Sequence, residues 1–148
     1  LGDSSTSALL ALTYVAALDR QVYGMQIRSR NTISLRSWNF GNSMSLTGWA
    51  QQEVVEKTSL SFRATYYKQN AITGRNASIM APIQTANPAN YGGTRTEISV
   101  GLNQLVFVLP GNHADRIGIE LSYPVLQDLN GPQMKRGFAL QVGYQKLL

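Results

Sequence analysis

The residues able to act on another molecule are few in this sequence. His113 is the only histidine and there is no cysteine, which removes disulfides, thiolate chemistry and the common zinc clusters. A Ser/His/Asp arrangement needs a positioned serine and an orienting acid. No nucleophile-elbow spacing accompanies His113, which falls in a short predicted turn with Asn112, Ala114 and Asp115. The expectation is a protein that is not an enzyme and uses no metal or cofactor. What remains is charge: Arg28, Arg30, Arg36 and Arg63 against Glu97 and Glu120. If these share one water-filled face, two readings are open. They form a basic constriction favouring anionic solutes, or an Arg–Glu network that braces a wall or a plug, and the bracing reading is preferred. In a dry core, each unpaired charge would cost several kcal/mol.

The elements that would position these charges alternate with a period of two. Phe138, Leu140, Val142 and Tyr144 alternate with Ala139, Gln141, Gly143 and Gln145. Ile117, Ile119, Leu121, Tyr123 and Val125 alternate with Gly118, Glu120, Ser122 and Pro124, and Ile98, Val100 and Leu102 with Glu97, Ser99, Gly101 and Asn103. Leu60, Phe62, Ala64 and Tyr66 oppose Ser61, Arg63, Thr65 and Tyr67. Such alternation puts one set on each face of a strand. Three further segments are less regular. Arg28, Arg30 and Arg36 lie opposite Met25, Ile27, Ile33 and Leu35. Met44, Leu46 and Ala50 oppose Ser43, Ser45 and Thr47, with Trp49 breaking the parity. Ala8 to Leu18 fits a strand or a short helix and is read as a strand from its neighbours.

Composition narrows the class. Only 14% of residues are charged while 43% are hydrophobic, against about 25% charged in soluble domains. That balance suits a wall with one lipid-facing and one water-facing side. The net charge of +5 comes from scattered residues, so nucleic acid is not an expected partner. No run reaches the roughly 20 apolar residues of a membrane helix. The longest, Ala8 to Leu18, contains Thr13 and Tyr14, and no signal-peptide pattern opens the chain.

The connections alternate in length. Asp19 to Gln21, Val55 to Lys57 and Pro110 to Asp115 are short; Ser37 to Gly41, the long Gln69 to Gly93, and Gln127 to Lys135 lie between them. Outer-membrane barrels have short periplasmic turns and longer external loops. Asn130-Gly131 within Asp128 to Pro132 reads as a tight hairpin turn rather than a cation site. Aromatics cluster near predicted strand ends, Trp38, Phe40, Tyr66, Tyr67, Tyr91, Tyr123 and Phe138 at the outer rim and Tyr23, Phe107 and Tyr144 at the other. Of these, Trp38, Tyr66, Tyr123, Phe138 and Tyr144 are candidates for an interfacial girdle. Seven predicted strands is an odd number, whereas single-chain bacterial barrels have even ones, so the expectation is a fragment of a larger barrel.

Gly48-Trp49, Ser59-Leu60-Ser61-Phe62-Arg63, Ile72-Thr73-Gly74 and Thr85-Ala86-Asn87-Pro88 are the first segments on which a family resemblance rests. It continues in Tyr91-Gly92-Gly93-Thr94-Arg95, Gly101-Leu102-Asn103, the stretch from Glu120 to Gln133, and Gly143-Tyr144-Gln145. In these residues the chain resembles outer-membrane barrel transporters of the "meta-pathway of phenol degradation" group, from about Gly41 to Leu148 and less well before that. The resemblance implies a complete barrel longer than this chain and uptake of hydrophobic compounds. It departs from outer-membrane barrels at its end, where Leu148 stands in place of the usual terminal aromatic residue read by the assembly machinery.

The expectation is therefore an all-β, antiparallel, up-and-down transmembrane β-barrel portion, residues 1–148 forming one domain. It would lie in a Gram-negative outer membrane, with porin-like or transporter-like function and the lipid bilayer, the assembly machinery and an unidentified small solute as partners. The competing readings are a soluble β-barrel or sandwich that binds a ligand, and a structural envelope barrel without transport.

Overall fold

The computed structural model describes residues 5–33, 37–76, 79, 83–107 and 114–146. Arg36, His113 and Leu148 lie outside them, as do the side chain of Phe107 and most of the turn from Pro110. The chain is all-β. Seven long strands form one antiparallel sheet: β1 (Ser7–Leu18), β2 (Gln21–Thr32), β4 (Ser43–Val55), β5 (Thr58–Gln69), β7 (Gly93–Phe107), β8 (Ala114–Leu129) and β9 (Ala139–Gln145). They are ordered in space as in sequence, an up-and-down meander in which β1 and β9 are the two edges. Two short strands, β3 (Trp38–Asn39) and β6 (Thr73–Gly74), pair with each other away from that sheet.

Two of the three expected short connections fall among the described residues and are tight. Tight turns join β1 to β2 and β4 to β5, with Asp19 and Lys57 in the left-handed region at φ 48° and 68°. The longer links 33–42, 70–92 and 130–138 all lie at the opposite end of the sheet. The last of them is longer than the tight turn expected from Asn130-Gly131. Only Gly131 has positive φ, at 69°, whereas a type I′ hairpin needs both central residues there. The positive φ alone makes a side chain at this glycine costly, and a Cβ would come 2.5 Å from Asn90.

No hydrophobic side chain is buried among the described residues. Leu140 pairs with Leu121 and Val142 with Ile119 in register, yet all four remain exposed. The same face carries Ile27, Leu46, Phe62, Ile98 and Val100, also exposed. The opposite face holds the polar set. Its concave curvature is visible in two contacts: Arg63 on β5 reaches Glu120 on β8 over β7, and Arg116 on β8 reaches Gln51 on β4 over both β5 and β7. On a flat sheet β4 and β8 would stand about 14 Å apart. The sheet therefore curls around its polar side, with the apolar set on the convex side.

Two irregularities tune the faces. In β8, Pro124 pairs with Glu97 but Leu126 pairs with Thr96, leaving Val125 as a bulge. Proline has no N–H for the ladder and is accommodated in a sheet interior at bulges. The extra residue turns Leu126 to the apolar side and Gln127 to the polar side, opposite Arg95. A second bulge at Val54 separates the Glu53–Ser59 and Val55–Thr58 pairs at the end of β4. β1 was the least certain strand in the sequence, and its register explains why: Leu9, Ala11, Val15 and Ala17 face the polar side of β2 while Leu10, Leu12 and Tyr14 face the other, so it is apolar on both.

Candidate functional site

The polar face begins with short side chains. Thr13–Gln26, Thr47–Thr65, Gln51–Ser59 and Ser99–Ser122 are joined by side-chain hydrogen bonds. Each member prefers a wet or fully hydrogen-bonded surface, and cross-strand pairs of this kind stabilise a sheet by about 0.2–1 kcal/mol each. Ser99 and Ser122 are the most enclosed pair, 4% and 9% exposed, with their hydroxyls 2.9 Å apart.

Glycines open space between these pairs. Gly24, Gly101, Gly118 and Gly143 all point to the polar side by register. At Gly24 the room is filled by Trp49, its register partner: a Cβ there would overlap the six-membered ring of the indole. The break in parity at Trp49 thus resolves as a large aromatic on the polar face, seated on a backbone stripped of its side chain. At Gly101 a Cβ would come 2.6 Å from the Ser61 hydroxyl. This bare stretch of β7 lies beside the path by which Arg63 meets Glu120.

The result is a concavity of about 640 Å³ to which six strands contribute, with Gln26, Trp49, Gln51, Arg63, Glu120 and Gln141 among its walls. Arg63 Nη2 and Glu120 Oε2 are 2.9 Å apart; the carboxylate is largely enclosed and the guanidinium half exposed. Of the charges singled out in the sequence, these two form an ion pair with one another. Arg28 and Arg30 do not join it. They sit on β2 opposite Ser45 and Ser43, and neither makes an ion pair among the described residues; the buried Nε of Arg30 has no hydrogen-bond partner. Glu97 pairs instead with Arg95, at 3.6 Å. Arg95 stands two residues before Glu97 on the same face of β7, just outside the alternation read from Glu97 to Asn103. Among the described residues no three His, Cys, Asp or Glu side chains gather to hold a metal ion.

The aromatic candidates divide. Tyr66, Tyr123 and Tyr144 lie on the convex side, facing Leu46, Ile98 and Ile117 in register. Phe138 stacks on Tyr123 with ring centres 4.5 Å apart. The Tyr144 hydroxyl donates to Asp115 Oδ2 at 2.6 Å, giving a nearly buried carboxylate at the tight-turn end a hydrogen bond. Trp38 stands apart from the long strands. It belongs to the small β3–β6 sheet, edge-on to Phe40 at 5.5 Å. Both rings line a small, mostly apolar hollow of about 180 Å³ with Ile72, Pro88 and Tyr91.

The long connections are also tied to one another. Asn70 N–H donates to Asn42 O and Arg75 N–H to Ser37 O, at 2.9 and 3.2 Å. Asn130 donates through its backbone to Gly92 O and through its side chain to Tyr91 O, and Gln133 Nε2 donates to Gly92 O at 2.7 Å. Tyr91 Oη in turn donates to Thr85 O at 2.6 Å. Comparison with known proteins adds no relative: no family model, no curated protein and no solved structure matches the chain.

Proposed function

We propose that this chain forms part of the wall of a bacterial outer-membrane β-barrel that passes or binds small solutes. One observation carries the reading. The seven-stranded sheet exposes its apolar residues on the convex side, buries no hydrophobic core among the described residues, and turns a hydrogen-bonded polar surface inward. Soluble monomers rarely expose contiguous apolar patches larger than a few hundred Å², whereas a barrel wall in lipid needs this partition. Most strands run 12 to 16 residues, enough for the roughly 9–11 residues that cross hydrocarbon. The tight turns would face the periplasm and the joined loops the exterior, with the bilayer against Ile119 and Leu121.

The resemblance to the phenol meta-pathway group supports the same address, and β9 is the strand the assembly machinery would engage. In hydrocarbon the edges β1 and β9 would have to be paired, since an open edge is not tolerated there. The solute belongs to the small hydrophobic or anionic classes. The Arg63–Glu120 brace also favours the reading of a wall that supports without conducting, so the test has two arms. The chain, refolded with and without detergent, should be monodisperse only with it; a stable monodisperse form in plain buffer sinks the membrane assignment in favour of a soluble ligand-binding barrel. Proteoliposomes containing the intact barrel should swell in small charged and uncharged sugars, and background permeation of every solute sinks transport.

A further inference from the structure

The loop end of the polar face holds a second group of charges. The bulge at Val125 turns Gln127 inward, and its side-chain amide clamps the backbone of Arg136 from both sides. Gln127 Nε2 donates to Arg136 O at 2.9 Å and Arg136 N–H donates to Gln127 Oε1 at 2.9 Å. This holds Arg136, otherwise on an exposed connection, at the hollow that Arg95 of β7 also borders. Like charges are brought together here by two independent devices, a strand bulge and an amide clamp.

Little answers those charges. Arg136 makes no ion pair among the described residues, and Arg95 meets Glu97 only at 3.6 Å, with its buried Nε lacking a hydrogen bond. The Arg95 guanidinium is held over the Tyr67 ring, 5.2 Å from its centre, and the Tyr67 hydroxyl is anchored on Gln69 at 3.0 Å. Arg95, Arg136, Tyr67, Gln127 and Gln133 border a hollow of about 330 Å³, at the lower end of the roughly 300–1,000 Å³ usual for small-molecule pockets.

We propose that Arg95 and Arg136 together form a binding site for a small oxyanion, a carboxylate or a phosphate, at the loop end of the concave face. Guanidinium forks suit both groups because two parallel N–H donors match two oxygens. An arriving anion would supply the charge that the pair lacks. The proposal narrows the solute class of the channel reading to oxyanions and rests on its claim that the concave face is wet.

The test uses the chain folded in detergent micelles, at constant ionic strength because exposed charges are screened by salt. Sodium benzoate and inorganic phosphate are titrated separately while the side-chain amide resonances of Gln127 and Gln133 are followed by NMR. A saturating shift with either anion is expected, and the two arms tell an organic carboxylate from free phosphate. Arg136→Gln, on an exposed connection, should weaken binding about tenfold, the loss expected for one charge-assisted contact, while Arg20→Gln, in the β1–β2 turn at the other end of the sheet, leaves it unchanged. Gln127→Leu, which releases the clamp, should weaken it as well. Shifts that never saturate with either anion, or that survive Arg136→Gln, overturn the site. Saturable binding together with background permeation of liposomes would instead sink the channel and leave the site standing.

Discussion

The indole of Trp49 rests on the backbone of Gly24, its register partner across β2 and β4. The sheet is therefore tightest on its polar side where an aromatic meets a glycine. Any side chain at residue 24 must displace the ring. Gly24→Ala is expected to lower stability by about 1–3 kcal/mol, the usual cost of overpacking. Denaturant unfolding followed by tryptophan fluorescence measures it, and an unchanged midpoint refutes the contact.

The ion pair between Arg63 and Glu120 crosses β7 at 2.9 Å. Glu120→Gln keeps the shape of the side chain and releases the guanidinium. Because that guanidinium is half exposed, the loss of stability should stay within about 1 kcal/mol. The larger effect falls on charge: if the chain lines the proposed channel, the variant should shift its reversal potential in planar bilayers toward anions. Arg63→Gln should shift it toward cations, and equal potentials for both variants would show that the pair lies off the conduction path.

Ile119 and Gln141 are close neighbours on opposite faces. Ile119 pairs with Val142, and Gln141 with Glu120. In lipid, Ile119→Lys should cost up to about 2–4 kcal/mol of folding free energy, depending on depth, while Gln141→Lys should change it little. In water the order would vanish, since both sites are exposed. Folding titrations into liposomes of the two variants distinguish the cases.

The bulge at Val125 separates two kinds of deletion. Removing Val125 joins Pro124, which faces the polar side, directly to Leu126, which faces the other; combined with Pro124→Thr, which supplies the N–H of a regular ladder, it restores alternation and the chain should still fold. Removing Leu121 instead inverts every residue on one side of the cut, because the strand period is two. The first variant should retain the far-ultraviolet circular dichroism of the parent, and the second should lose it.

Much of this architecture was legible because alternation is a local signal. The strands containing Phe62, Ile98, Ile119 and Leu140 declare their faces in sequence, and the turn lengths between them declare their order. Three features were hidden for physical reasons. Trp49 broke the parity count because the glycine that receives it lies on another strand. Gln127 and Arg95 met only through a bulge, which shifts parity without leaving a distinctive residue beyond Pro124. Trp38 reads as one more rim aromatic, yet it packs on Phe40 beside the β3–β6 sheet. β1, apolar on both sides, carries no alternation to read at all.

The three longer links are stitched to one another as well as to their own strands: 33–42 to 70–76 through β3 and β6, and 70–92 to 130–138 through Tyr91, Gly92, Asn130 and Gln133. They make a collar instead of three separate flaps. A protease nick in one link would leave both stumps fastened to its neighbours. The loop end of the sheet would then keep its shape, and in the proposed channel solutes would be sorted by their fit and not by the swing of a gate.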